Sequence, residues 1–320
     1  PLVTPQNERR IFFCTDDRHP NDILEQGHID FMVRTAISAG LSPITAIRMA
    51  TLNTAEYFGL KKLGGIAPGK TADMVAFEDF DHVKAKQVYK NGKLAARDGI
   101  PVYDPVLRPQ AAIRASVNIK WLEGDEFFIP ARGRRCRVIG VVPDQIVTDS
   151  LVLDGKIIDG HIVHDPEHDI AKLFVIERHR ATGNIGKGLV KGFGIKRGAM
   201  ASSIGHDSHN IIVVGVDDRD IFKAVLAINK MGGGIAVVSD DAVLESLELP
   251  IAGLMSNKPL EYVSARVKSL NNAAKSLGIT LHDPLMTLSF LALPVIPSLK
   301  LTDQGLVDVE KFQHVSLFID

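Results

Sequence analysis

Cysteine is nearly missing from this chain. Cys14 and Cys136 are the only thiols in 320 residues, which excludes a disulfide framework and suits free thiols in a reducing cytoplasm. Long apolar runs are missing too. No stretch reaches the roughly 18 apolar residues of a membrane-crossing helix, and the first residues lack the basic-then-apolar order of a secretory leader. Neither sign of charge dominates: 37 Lys and Arg face 38 Asp and Glu, a formal charge of −1. That balance argues against nucleic acid or an acidic membrane surface as the main partner. At 45% hydrophobic and 23% charged residues, the composition is that of a soluble globular protein with sizeable cores. The length suggests two or three domains of about 100–200 residues each.

The chain is organised around a stretch near its start, Phe12-Phe13-Cys14-Thr15-Asp16-Asp17-Arg18-His19-Pro20. An apolar run, Ile11 to Cys14, gives way at once to two carboxylates, an Arg, a His and a Pro, as a buried parallel strand does on leaving its sheet. In a barrel of parallel strands the carboxyl ends of the strands carry the chemistry. An Asp there can ligate a divalent metal or take a proton from an attacking water. The plainer alternative is a strand followed by a solvated turn. Pro1 to Arg10 carries no initiator Met and leads straight into this strand, as if entering a fold already under way.

Further on, Ile29, Met32, Val33, Ala36 and Ile37 fall on one face at helical spacing, and Gly40 closes that helix. Ser42-Pro43 opens a second helix through about Met49, and Thr54 is expected to cap a third that ends at Gly59. Gly64 to Asp73 is rich in turn residues. Met74 to Phe77 then reads as a strand, and Asn91-Gly92 between short apolar runs reads as a hairpin. Ile100 to Pro109, with three prolines, reads as a linker. Beyond it, Val138–Val142, Ile146–Val152, Leu173–Ile176, Ile211–Val216 and Ile235–Val238 are predicted strands. Asp217–Met231 and Tyr262–Leu277 are predicted helices, the second closed by Gly278. The alternation indicates an α+β or α/β domain.

Polar clusters stand out against this framework. Gly198 to Asn210 is the densest, and His206 and His209 within it could ligate a metal, act as acid or base, hydrogen-bond a polar heterocycle, or simply stabilise a turn. Their three-residue spacing fits adjacent helical positions, whereas on an extended approach to a strand the two rings would face opposite sides. His161, His164 and His168 could form a metal site, but the intervening Asp-Pro-Glu favours an exposed loop. Glu177 and Arg178 either pair as ions or line a pocket. Gly232-Gly233-Gly234 precedes a strand rather than opening a helix, so it is no phosphate cradle. There is no Gly-x-Ser-x-Gly elbow and no His-x-Glu with Pro-Cys-x-x-Cys.

Together, Cys14 to Pro20, Gly27-His28-Ile29-Asp30 and Met49 to Ala55 resemble the end of the catalytic barrel in the amidohydrolase superfamily, and Gly64 to Asp73 resembles its return into a small β domain. Within that superfamily, three later stretches resemble the adenine deaminases that carry an extra C-terminal domain: Ser202-Ser203 with His206 to Asn210, Leu249 to Ser256, and Leu291 to Pro297. The resemblance covers essentially the whole chain. It implies an α/β protein made of the end of a (β/α) metal-dependent hydrolase barrel (residues 1–62), a small β-sandwich part (63–105) and a C-terminal α+β domain (106–320). It further implies hydrolytic deamination of adenine to hypoxanthine and ammonia at a binuclear Mn2+ centre, with Fe2+ or Zn2+ as alternatives, in a cytoplasmic homodimer serving purine salvage. Asp16 matches the superfamily's metal-bound Asp, and Asp17 is the alternative or a supporting partner. Ser203, His206, Asp207 and His209 become candidate contacts to the purine. One departure matters. The family's other metal ligands include a His-x-His pair, which this chain lacks, so the expectation is the C-terminal part of an enzyme that retains no catalytic metal and is inactive alone. The competing expectation is a non-catalytic subunit or purine-binding module complementing a separate N-terminal half.

Overall fold

Turn chemistry shapes the N-terminal part of the chain. Asn91 and Gly92 both take positive φ, 51° and 75°, the pairing that a two-residue hairpin loop requires, and Lys90 lies opposite Lys93 across it. The computed structural model describes residues 2–103 and 116–319, and the chain divides into two units, Pro1–Pro109 and Gln110–Asp320.

The first unit begins with four helices, α1 (Pro20–Glu25), α2 (Ile29–Ser38), α3 (Pro43–Ala50) and α4 (Leu52–Tyr57). Strands β1 (Met74–Phe77), β2 (Ala85–Lys90), β3 (Lys93–Arg97) and β4 (Ile100–Pro101) follow. They form a single four-stranded antiparallel sheet rather than a sandwich. Val33, Ala46 and Val83 make the buried centre, with Phe13, Ile37 and Phe77 packed around them, so helices and sheet share one core. α2 and α3 run where the apolar spacing put them. Thr54, expected to start the third helix, lies inside α4, with Thr51 at its N-cap. Residues 104–109 of the expected linker lie outside the described residues.

Ile11 to Cys14 overturns a larger expectation, because it forms no strand. A strand exists only through its neighbours' N–H and C=O groups, and here Phe13 N–H donates to Met49 O (3.3 Å) and Ile11 O accepts from Asn53 Nδ2 (2.8 Å). The backbone of Phe12 and Cys14 has no partner among the described residues. Beside it, Phe12, Tyr57 and Phe58 cluster with ring centroids 4.9–6.0 Å apart, although Tyr57 and Phe58 are 72% and 61% exposed.

The second unit is built on a nine-stranded sheet. Its strands are β6 (Arg135–Val141), β7 (Thr148–Asp154), β10 (Ile170–Ile176), β11 (Ile185–Lys191), β12 (Ala199–Ser202), β13 (Ile211–Gly215), β14 (Gly234–Ser239), β15 (Ala242–Glu248) and β19 (Phe318–Ile319). The order is β15-β14-β12-β13-β10-β11-β6-β19, with β7 also on β6, and every pair is antiparallel except β11 with β6. Two smaller antiparallel sheets accompany it. One joins β5 (Ile129–Pro130), β9 (His161–Val163) and β8 (Lys156–Ile158), the other β16 (Leu299–Thr302), β17 (Gly305–Asp308) and β18 (Gln313–Val315).

Both faces of the large sheet are covered, which explains why its central strands read as unbroken apolar runs. Ile212 and Val214 point into one core with Val267 and Leu270 of α6 (Leu260–Ser276) and Leu285 and Leu288 of α7 (Pro284–Phe290). Ile211 and Val213 point into the other with Ile221, Ala224, Val225 and Ile228 of α5 (Asp218–Met231). Asp217 caps α5 by accepting from the N–H groups of Arg219 and Asp220, as its position before the apolar period predicts. Lys172 of β10, 2% exposed, is neutralised by Asp218 at the start of the same helix.

Lys300 of β16 has no such counter-charge. It is fully buried, its Nζ donates to Ile146 O at 2.8 Å, and no carboxylate pairs with it among the described residues. Burial pushes its pKa down to about 8, whereas the unfolded chain holds the proton to about 10.4. Between those values the unfolded state binds more protons, so stability rises with pH across that window, by up to about 3 kcal/mol in all. Below about pH 8 both states are protonated and the cost of the buried ammonium is fully present. Denaturant unfolding at about pH 7 and about pH 9.5 is expected to show this gain, and Lys300→Met is expected to flatten it.

Candidate functional site

The polar cluster of the second unit sits where β12 ends and β13 begins, so its loop is pinned at both sides by central strands. His206 donates its backbone N–H to Ser289 O (3.2 Å), its Nδ1 contacts Ser289 Oγ, and its ring stacks on Phe290 with centroids 4.5 Å apart and planes 6° from parallel. His209 turns back on Gly205, donating its N–H to Gly205 O (2.6 Å), with a positive φ of 51°. That reversal is neither helical nor extended, and it leaves the two imidazoles 5.7 Å apart. Burial, helped by His206 and Arg178, pushes the His209 pKa down. A neutral imidazole keeps one nitrogen as acceptor, and Nδ1 of His209 is buried without a hydrogen-bond partner among the described residues.

Arg178 organises this loop. It is 1% exposed, and its guanidinium donates to three backbone carbonyls from distant parts of the unit: His209 O, Ser116 O (2.5 Å) and Ala252 O (3.1 Å). Burial lowers its pKa, yet guanidinium stays protonated in proteins. A Cβ on Gly253 would meet Arg178 Nη1 at 2.8 Å, and Gly253 has φ 71°, so only glycine fits beside the fork. Glu177 takes neither expected role. Burial would raise its pKa, but N–H groups of Thr182, Arg180 and His179 outweigh that and hold the carboxylate below its usual range. The two residues are not an ion pair; each braces backbone.

The remaining predicted residues are dispersed. Ser203 is fully buried, accepts from Gly234 N–H (2.8 Å) and reaches Gly253 O, which ties the loop to the Leu249–Ser256 stretch. Asp207 is exposed, with no hydrogen bond to its carboxylate among the described residues. Asp16 and Asp17, in the first unit, are exposed; Asp16 has φ 53° and its Oδ1 accepts Asp17 N–H at 2.9 Å. Thr15 Oγ1 meets His28 Nε2 at 3.2 Å nearby. Neither Asp lines any of the cavities described below. His161 lies in β9 and His168, exposed, bonds Asp165 at 2.7 Å. Sequence reasoning marked Arg178, a cation directly after an apolar strand, without its role as a backbone brace, and it missed Phe290, which stacks on His206 and left no local signal.

Comparison with known proteins supplies what geometry alone does not. Residues 145–313 match the family described as adenine deaminase C-terminal domain, and residues 5–95 match the amidohydrolase family. The chain belongs to the adenine deaminase C-terminal domain family. It is 51% identical over 318 residues to an adenine deaminase of Desulfatibacillum aliphaticivorans, covering 99% of this chain and 56% of that protein. It is 48% identical over 316 residues to adenine deaminase 2 of Carboxydothermus hydrogenoformans, covering 98% and 55%, and 46% identical over 321 residues to an adenine deaminase of Methanothrix thermoacetophila, covering 100% and 56%. The chain therefore spans just over half the length of these curated relatives.

The amidohydrolase family that residues 5–95 match implies a divalent metal, and the described residues can be tested against one. Among the described residues no three His, Cys, Asp or Glu side chains gather closely enough to hold an ion, and one Asp16 oxygen is engaged by backbone.

Proposed function

We propose that this chain is part of an enzyme that hydrolyses adenine to hypoxanthine and ammonia in the cytoplasm, as a homodimer serving purine salvage. The observation that carries the reading is 51% identity, over 99% of the chain and across both units, to a protein named adenine deaminase. The metal is binuclear Mn2+, Fe2+ or Zn2+, and Asp16 would hold it together with ligands outside these 320 residues. Asp16 takes a proton from the attacking water and delivers it to the ring and leaving amine, with Asp17 supporting it. His206, Asp207 and His209 contact the purine, and Ser203 and Arg178 hold their loop. The bare backbone at Phe12 and Cys14 and the exposed Tyr57 and Phe58 support a reading in which further polypeptide pairs along that edge.

The test is reconstitution. The chain is co-expressed with the part of the Desulfatibacillum relative that lies outside the match, purified as a complex and supplied with Mn2+. Equal release of hypoxanthine and ammonia from adenine is expected, with no turnover by the chain alone. A stable complex that leaves adenine untouched, or turnover by the isolated chain, would overturn the reading.

A further inference from the structure

A cavity of about 400 Å3 opens beside the histidine loop, within the size range of small-molecule sites. Asp207 and Ser208 form one wall, Leu293 and Pro294 a second, and Val307 with the hairpin of β16 and β17 a third. Leu293 and Val307 are 5% and 8% exposed, so the floor is apolar and fixed. At the rim Phe312 is 77% exposed with φ 52°. A bulky residue at positive φ is a true outlier, and strain of this kind gathers at ligand clamps. An aromatic ring held in water by a strained backbone is a surface waiting for a flat partner.

The polar groups narrow the chemistry. The carboxylate of Asp207 is free of hydrogen bonds among the described residues, while Asp303 is held in place by the side-chain amides of Asn210 (3.1 Å) and Asn184 (3.2 Å). His314, Gln304 and Gln313 add groups that can donate or accept. Among the described residues no Lys or Arg lines the cavity. Two carboxylates without a cation repel phosphate and favour a ligand that donates N–H groups. A flat base with an exocyclic amino group meets each requirement: its face lies on Phe312, its edge on Leu293 and Val307, and its N–H groups on Asp207.

We propose that this cavity is a purine-base site that takes free adenine through Asp207 and Phe312 and rejects its phosphorylated forms. The choice of base rests on the deaminase reading, and the site adds Phe312, Asp303 and Leu293 to it. Calorimetric titration of the purified chain with adenine in the presence of a chelator tests it. Saturable one-to-one binding is expected, with adenosine monophosphate at least about tenfold weaker. Asp207→Asn and Phe312→Ala should each weaken adenine by about tenfold or more while leaving the denaturant midpoint unchanged, since both side chains are exposed. No saturable binding, equal binding of the monophosphate, or unaltered affinity in both variants would overturn the site. The two readings fail separately. A reconstituted enzyme that deaminates adenine while the chain binds none sinks only this site, and binding without turnover by the reconstituted enzyme sinks only the deaminase assignment.

Discussion

Arg178→Met is expected to lower the stability of the C-terminal unit by roughly 3–5 kcal/mol, seen as a fall in denaturant midpoint at unchanged slope. Three half-buried carbonyls, of Ser116, His209 and Ala252, would lose their donor together, and each group left unsatisfied away from water costs about 1–3 kcal/mol. Against this stands the cost of burying a guanidinium that has no carboxylate beside it, which methionine would relieve. The balance favours arginine because all three acceptors are backbone and cannot be removed by the substitution. Lysine, a point donor without the planar fork, should recover about a third of the loss. A neutral or stabilising Arg178→Met would show instead that desolvation of the charge is the larger effect.

Asp16→Asn in the reconstituted enzyme is expected to reduce kcat for adenine by about 10²–10⁴-fold, the usual weight of a general acid–base group, with KM changed little. Asparagine keeps an oxygen for Asp17 N–H and tolerates the left-handed backbone at φ 53°, so local geometry survives while the proton acceptor is lost. Asp17→Asn should cost less than about tenfold. An effect confined to KM would assign Asp16 to substrate binding instead. Equal losses at the two positions would mean the pair acts as one unit.

Local signals in the sequence translated into structure wherever the determinant was local. Asn91-Gly92 made its hairpin, Pro43 opened its helix, and the helix expected over Asp217–Met231 formed one residue later, at Asp218. Ile211 to Gly215 is buried on both faces as its unbroken apolar run required. The failures share a cause. Ile11 to Cys14 has strand composition but no strand beside it, and composition does not report neighbours. His206 and His209 fitted either a helical or an extended spacing, and neither holds, because Gly205 O draws His209 back. Arg178 shows its role only through carbonyls 31, 62 and 74 residues away in sequence, and carbonyls are identical for every residue type. The cavity at Asp207 depends likewise on a hairpin about a hundred residues further on. Contacts between side chain and remote backbone leave almost no trace in the order of the residues.

The position of β19 has a consequence for how the polypeptide is made. Phe318 and Ile319 pair with Cys136 and Arg135 of β6, and Arg137 N–H donates to Leu317 O at 2.8 Å. β6 is therefore completed by residues translated some 180 positions after it, and part of its length waits beside an open lane until they emerge. A stop codon placed just ahead of Phe318 would spare every cavity and cluster described above, yet deliver a product with an unzipped lane, suited to proteolysis or capture by chaperones.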